Sequence, residues 1–251
     1  CVPNNGSLIT MTRIHGRVGM QSIVIKDSLF DLFPDFHRGI IVIENIENHQ
    51  LVDHVKILLQ EQIDAPKKAD QNDHRLQIWN QAHLAFGSNP NKYPPSIKSL
   101  IKRIQKNPEL PYINTVVALF NYISIKYCLP CGGDDMDGVT GDFTLGFADG
   151  TETFQPLGTD KTETPTKGEV IYYDSATKNV MCRRWNWRNG ERTKIETSTK
   201  RLVINIDCLL PGFSKTAIRA RDELAGLLEA HCQAALKTDA LHAGKQVVEL
   251  N

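Results

Sequence analysis

Apolar residues recur along this chain with two different periods, and the change from one to the other divides it near residue 137. In the first half the period is mostly helical. Ile23–Ile25 predicts a short strand, Asp27 and Ser28 cap a small helix that Pro34 ends, and Arg38–Ile43 is apolar enough for a strand buried on both faces. Asn48 is expected to open a helix with Leu51, Val55, Leu58 and Leu59 on one face; a further helix is expected over about 76–86. Ser96 caps a helix that turns Ile97, Leu100, Ile101 and Ile104 inward and Lys98, Lys102, Arg103 and Lys106 outward. Asn114 then caps a helix with Val116, Phe120, Ile123 and Tyr127 on one stripe, stopped by Leu129-Pro130.

Beyond residue 137 the period falls to two. Phe143, Leu145 and Phe147 alternate with polar or small residues, and Asp149-Gly150 predicts a hairpin into Thr151–Leu157. Residues 168–174 and 179–188 are expected to pair as strands, with Asn189-Gly190 as a second hairpin turn and 201–206 as a last buried strand. A long helix follows Pro211 and Ser214 to about Leu236. This grammar is α+β. The expected organisation is a flexible extension at 1–19, one domain over 20–236 and a tail at 237–251.

Composition narrows the functions. With 251 residues, 41% hydrophobic and 23% charged, the chain can bury a large core, and its formal net charge of zero means that a polyanionic partner must be met by a local patch. No apolar run reaches the ~20 residues of a membrane span, and the expected location is the cytoplasm. Cys128-Leu-Pro-Cys131 is a CxxC without a second pair to complete a metal site, so neither metal nor cofactor is expected. No P-loop, HExxH or ordered Ser–His–Asp set is present.

Two stretches can carry chemistry. The helix from Asn114 is delivered into Gly132, Gly133, Asp134, Asp135 and Asp137, read as a flexible acidic loop whose backbone N–H groups are open to a ligand. Between Lys178 and Arg201 stand eight Lys/Arg against Glu191 and Glu196 only, interleaved with Trp185 and Trp187. Such a surface suits a single-stranded RNA end, which needs cations for phosphates and ring faces for bases. The alternatives are a tryptophan pair in the core and arginines that merely face water. Asn121, in mid-helix, is either a site residue or a structural contact.

The motifs SIKSLIKRI, LPYINTVVALFNYIS, LPCGGDDMD, KGEVIYYD and CRRWNWRNGERT resemble the tRNA-binding and editing module of the phenylalanyl-tRNA synthetase beta subunit, the B3/B4 domain, and more closely freestanding proteins built from it. The resemblance spans roughly residues 20–235. It implies a layered β/β/α sandwich with helices at both ends. It also implies a trans-editing deacylase that hydrolyses the ester of a mischarged tRNA at its aminoacylated 3′ end. The alternatives are a non-catalytic RNA-binding module and, third, a small-molecule site at the glycine–aspartate loop. Without an ATP-binding signature, ligase activity is not implied. By resemblance Glu191 lines the pocket for the amino-acid moiety, and Asn121 matches the family; Gly132 stands where the synthetase module has His. The expected catalytic set is Glu191, Gly132, Gly133, Asp134 and Asp135. Substrate is expected to be held by Asn121, Arg183, Arg184, Trp185, Arg188, Arg192, Thr193 and Lys194.

Overall fold

The computed structural model describes residues 21–65, 72–212 and 214–250. The expected N-terminal extension lies outside them. In chain order the elements are β1 (Gln21–Ile25), α1 (Asp27–Leu32), β2 (His37–Asn45), α2 (Asp53–Asp64), α3 (His74–Ala85), α4 (Ser96–Lys106), α5 (Thr115–Tyr127), β3 (Cys131–Asp135) and β4 (Phe143–Phe147). They continue with β5 (Val170–Asp174), β6 (Val180–Arg183), β7 (Arg188–Asn189), β8 (Leu202–Cys208), α6 (Ser214–Cys232), β9 (Ala235–Leu241) and β10 (Val247–Leu250). The strands make two sheets, ordered β10-β1-β4-β5-β6-β7 and β3-β8-β2-β9. The fold is α+β, as the change of period implies.

Helix α5 is the central element. Apart from Asn121 and Lys126 its residues are almost all apolar or small, so it can be enclosed, and it packs against α2, α4, α6 and β3. The Asn114 side chain accepts from Val117 N (3.0 Å) at its start, and Cys128 ends it in the left-handed region at φ 55°. Strands β2 and β8, the two apolar runs, lie in the middle of the four-stranded sheet and are buried on both faces along most of their length.

Several local expectations give way to tertiary context. Residues 131–135 are not a loop but β3, an edge strand in register with β8 (Gly132 opposite Asn205, Asp134 opposite Val203). Strand pairing supplies what the poor intrinsic preference of Gly and Asp does not. Residues 180–189 are not one strand: the chain turns at 184–187, with Arg184 and Trp185 at φ 48° and 66°, so the hairpin turn precedes Asn189-Gly190. Strand β4 pairs with β5 rather than with 151–157, which make only isolated bridges. Asn48 does not open a helix; α2 starts at Asp53. Residues 235–250, expected to hold the helix end and a tail, form β9 on β2 and β10 on β1.

Candidate functional site

Because β3 is an edge strand, one side of it is open, and there lies a cavity of about 530 Å³. Its walls are α5 (Val117, Phe120, Asn121), β3 (Cys131 to Asp134) and the segment 189–197. This volume is within the range of ligand sites. Four polar side chains hold the third wall in place. Asn114 Nδ2 donates to Ile195 O (3.0 Å), Asn48 Nδ2 to Glu196 O (2.8 Å), Thr193 Oγ1 to Asp134 Oδ1 (2.7 Å) and Thr199 Oγ1 to Asp135 Oδ2 (2.7 Å). Asn48 also accepts from Val116 N (3.2 Å), so both asparagines tie the start of α5 to the wall it faces. Local sequence gives no sign of this: both read as helix caps, and their second partners lie 81 and 148 positions away.

The antiparallel ladder gives the two glycines different tasks. Asp207 N donates to Pro130 O and Met136 N to Arg201 O, which fixes the alternation: Gly132 and Asp134 bond to β8, whereas Gly133 turns its N–H outward. Asp135, two residues on, uses that outward direction to donate to Thr193 O (3.0 Å). The Gly133 N–H therefore faces the cavity side. A Cβ on Gly133 would lie 2.8 Å from Val203 O and 3.0 Å from Phe120 Cζ, so strand and helix can approach only around glycine. A Cβ on Gly132 would meet nothing within 4 Å.

Asp134 is buried, and desolvation pushes its carboxyl up from the ordinary 3.8 to about 6, against the Thr193 hydroxyl and Arg38, which favour the charged form; Asp135 adds to the rise. Between these values the folded protein holds a proton that the unfolded chain has lost. Stability contributed by this group is thus present at low pH and falls as pH rises towards 6. Asp134→Asn keeps an acceptor for Thr193 and removes the charge. It is expected to gain stability on the order of 1–3 kcal/mol above pH 7 and little below pH 4, measured by urea unfolding at both pH values.

The cavity gathers Asn121, Gly132, Gly133, Asp134, Thr193 and Lys194. It leaves out Asp135, whose carboxylate accepts from Thr199 Oγ1 and from Asp137 N (2.9 Å). Glu191 stands beside the cavity rather than among its lining residues. Its carboxylate accepts from Gly158 N (2.8 Å) and from Lys194 Nζ (2.5 Å), and both contacts hold it below the usual range for Glu. Lys194 also pairs with Glu196 (3.1 Å). Burial pushes the Cys128 thiol up to about 12 and moves Cys131 in the same direction, so both are neutral thiols near pH 7.

The basic hairpin needs correction. Arg183 is buried, donating to Glu169 (2.8 and 2.7 Å) and Glu163 (2.6 Å). The Arg184 guanidinium lies over the Tyr93 ring at 3.8 Å and 3.5 Å from Glu169. Trp185 is 2% exposed, packed edge-on against Phe33, Phe36 and Trp79, and donates to Asp207 Oδ2 (3.0 Å). It is a core residue, not a platform for bases. Of the expected cations Arg188, Arg192 and Lys194 are exposed and Arg184 is half-buried, Arg192 donating to Gly138 O (3.2 Å).

A different cationic surface adjoins the cavity. A shallow groove of about 330 Å³ shares Ser96, Asn121, Cys131 and Asn189 with it and runs to Arg103, where a second groove of about 520 Å³ begins along Lys98, Lys102 and Lys106. Lys102, Arg103 and Lys106 are exposed. No group of His, Cys, Asp and Glu able to hold a metal ion occurs among the described residues, and no helix of them is long and apolar enough to cross a membrane.

A two-sheet α+β fold with a cavity of mixed polar and apolar lining at a sheet edge is the class that fold and site define. Residues 78–237, more than half of the chain, match the B3/4 domain, and the chain belongs to this family. Among solved structures it is similar to an N-terminal fragment of the phenylalanyl-tRNA synthetase beta-subunit from Pyrococcus horikoshii, at 14% identity and a TM-score of 0.42, covering 85% of this chain and 49% of that one. The chain thus spans about half the length of that fragment. No curated protein matches it.

Proposed function

We propose that the protein binds the acceptor end of a charged tRNA and hydrolyses the aminoacyl ester in the cavity at the β3 edge, acting in trans on mischarged tRNA. The observation that carries this reading is the convergence of Gly133 N–H, the Asp134 carboxylate and Asn121 on one cavity in a B3/4 domain. The tRNA part of it rests on the resemblance of LPYINTVVALFNYIS, LPCGGDDMD and CRRWNWRNGERT to the synthetase module.

The chemistry asks little of the protein. An aminoacyl ester is already activated, so orienting water and stabilising the tetrahedral oxyanion suffice. Water held by Asp134 attacks the ester carbonyl, and its oxygen collects negative charge against the Gly133 N–H. The carbon–oxygen bond to ribose then breaks as the proton that Asp134 took from the attacking water passes to the ribose oxygen, releasing the ribose hydroxyl and the free amino acid. Asp134 acts as carboxylate, so the rate should rise with pH through about 6. Glu191 serves as a positioning residue that holds Lys194 and the 158 turn at the rim. The polynucleotide lies across the groove to α4, with Arg188 and Arg192 on the other side.

The joint change Lys102→Glu and Arg103→Glu should weaken binding to every tRNA and flatten the salt dependence by a slope of about 0.7 for each lost phosphate contact, measured by filter binding across a salt series. Deacylation of tRNAs charged with a panel of amino acids tests the reaction itself. Binding without acceleration of ester loss would reduce the protein to a non-catalytic RNA-binding module.

A further inference from the structure

Behind the cavity, between the two sheets, lies a smaller chamber of about 90 Å³ that shares Gly132, Gly133 and Asp134 with it. Strand register builds it. Arg38 on β2 stands opposite Asp207 on β8; Asn205 follows two residues from Asp207 on the same face, opposite Gly132. Tyr172 and Cys182, cross-strand partners in the other sheet, and Trp185 close the far side. Gly132 has no side chain to fill the mouth, so the chamber adjoins the cavity.

The polar groups in its walls are incompletely paired. Arg38 donates to Asp207 through Nε (2.7 Å) and Nη2 (2.8 Å) and its guanidinium lies over the Tyr172 ring at 5.0 Å, but its buried Nη1 has no hydrogen-bond partner. Asn205 Oδ1, Asn186 Nδ2 and the Tyr172 hydroxyl also have none; the hydroxyl lies near Asn205 without meeting hydrogen-bond geometry to it. Arg38, Tyr172 and Asn205 are each at least nine-tenths buried. Four unpaired polar atoms around one small space are costly unless something enters to pair with them. The volume holds about three waters at liquid density, or one group of a few heavy atoms.

Resting on the hydrolase reading above, we infer that this chamber receives the side chain of the aminoacyl group and selects a small, neutral, polar one: a hydroxyl or a carboxamide. The charges decide against the other classes. An anion would enter beside Asp134 and Asp207. A cation would face Arg38 Nη1 head-on. An apolar group would leave all four polar atoms unpaired. A carboxamide or hydroxyl offers both a donor and an acceptor, which is what Nη1 and Nδ2 on one hand and Asn205 Oδ1 on the other require.

The indole N–H of Trp185, bonded to Asp207 in the chamber wall, reports entry. In ¹⁵N-labelled protein, titration with acetamide should shift that resonance saturably, whereas sodium acetate and methylammonium chloride at equal ionic strength should not. Tyr172→Phe, which keeps the ring, should weaken the acetamide response at least tenfold; Asn205→Leu, which fills the space, should abolish it. In deacylation, kcat/KM should favour serine- or asparagine-charged over phenylalanine-charged tRNA at least tenfold, and Tyr172→Phe should narrow the ratio. A silent indole, or one that answers equally to acetate or methylammonium, would overturn the chamber assignment even where deacylation proceeds. An acetamide shift with no deacylation of any tRNA would support the chamber and remove the hydrolase reading instead.

Discussion

Arg183→Ala is expected to unfold at a midpoint roughly 10 °C below the parent protein. Arg183 is 8% exposed at its side chain and Glu169 2%, and they share two hydrogen bonds, with Glu163 on the remaining edge. Removing the guanidinium leaves Glu169 buried with the backbone N–H groups of Arg184 (3.2 Å) and Thr166 (3.4 Å) and the more distant Arg184 guanidinium. Breaking a buried pair from one side costs about 3–5 kcal/mol, and in a chain of this size each kcal/mol moves the midpoint by about 2–4 °C. Thermal unfolding of Arg183→Ala, Glu169→Ala and the double variant should give non-additive losses. By contrast, Arg188→Ala, at an exposed position, should stay within about 0.5 kcal/mol. If Arg183→Ala were as stable as the parent but had lost RNA affinity, the arginine would belong to the nucleic-acid surface and not to the core.

Gly132→Leu should abolish deacylation and leave the fold intact. The site for a Cβ is open, and a leucine in a strand loses none of the ladder bonds to β8 while gaining strand preference over glycine, so the midpoint should hold or rise. Its side chain would project where the cavity and the inner chamber meet. A fall in kcat/KM of at least tenfold, about 1.4 kcal/mol in transition-state free energy, is expected. The neighbouring Gly133→Leu serves as contrast. There the clash with Val203 O and Phe120 should cost stability directly. Equal activity in folded Gly132→Leu would remove the mouth of the chamber from the path of the substrate.

What the sequence discloses and hides follows from where the governing contacts lie. Helix α5 was readable because its cap, stripe and stop are all local. Strands β2 and β8 were readable because burial on both faces leaves a continuous apolar run. The Gly132–Asp135 strand was not, since its stability comes from β8, about 70 residues on, and glycine and aspartate say loop by themselves. Counting charge between residues 178 and 201 suggested an RNA surface because Glu163 and Glu169, which neutralise Arg183 and Arg184, sit outside that window. The turn at 184–187 uses positive φ at an arginine and a tryptophan, for which no residue type gives notice. Strand β9 carries Lys237, Thr238 and Asp239 on a sheet edge, so its pattern is nearly indistinguishable from that of a tail. At the site, the position of the glycine–aspartate segment was legible. The chamber behind it was not, because Arg38, Tyr172, Asn205 and Asp207 come together only through the register of two sheets.

The most direct measurement is ester loss from a panel of tRNAs, each carrying a non-cognate amino acid, with purified protein and with Gly132→Leu as control. At least one aminoacyl-tRNA is expected to be deacylated well above its spontaneous rate, with the rate rising through about pH 6, and the control is expected not to accelerate it. Spontaneous rates across the whole panel with the parent protein, under conditions where it is folded and binds tRNA, would contradict the hydrolase reading.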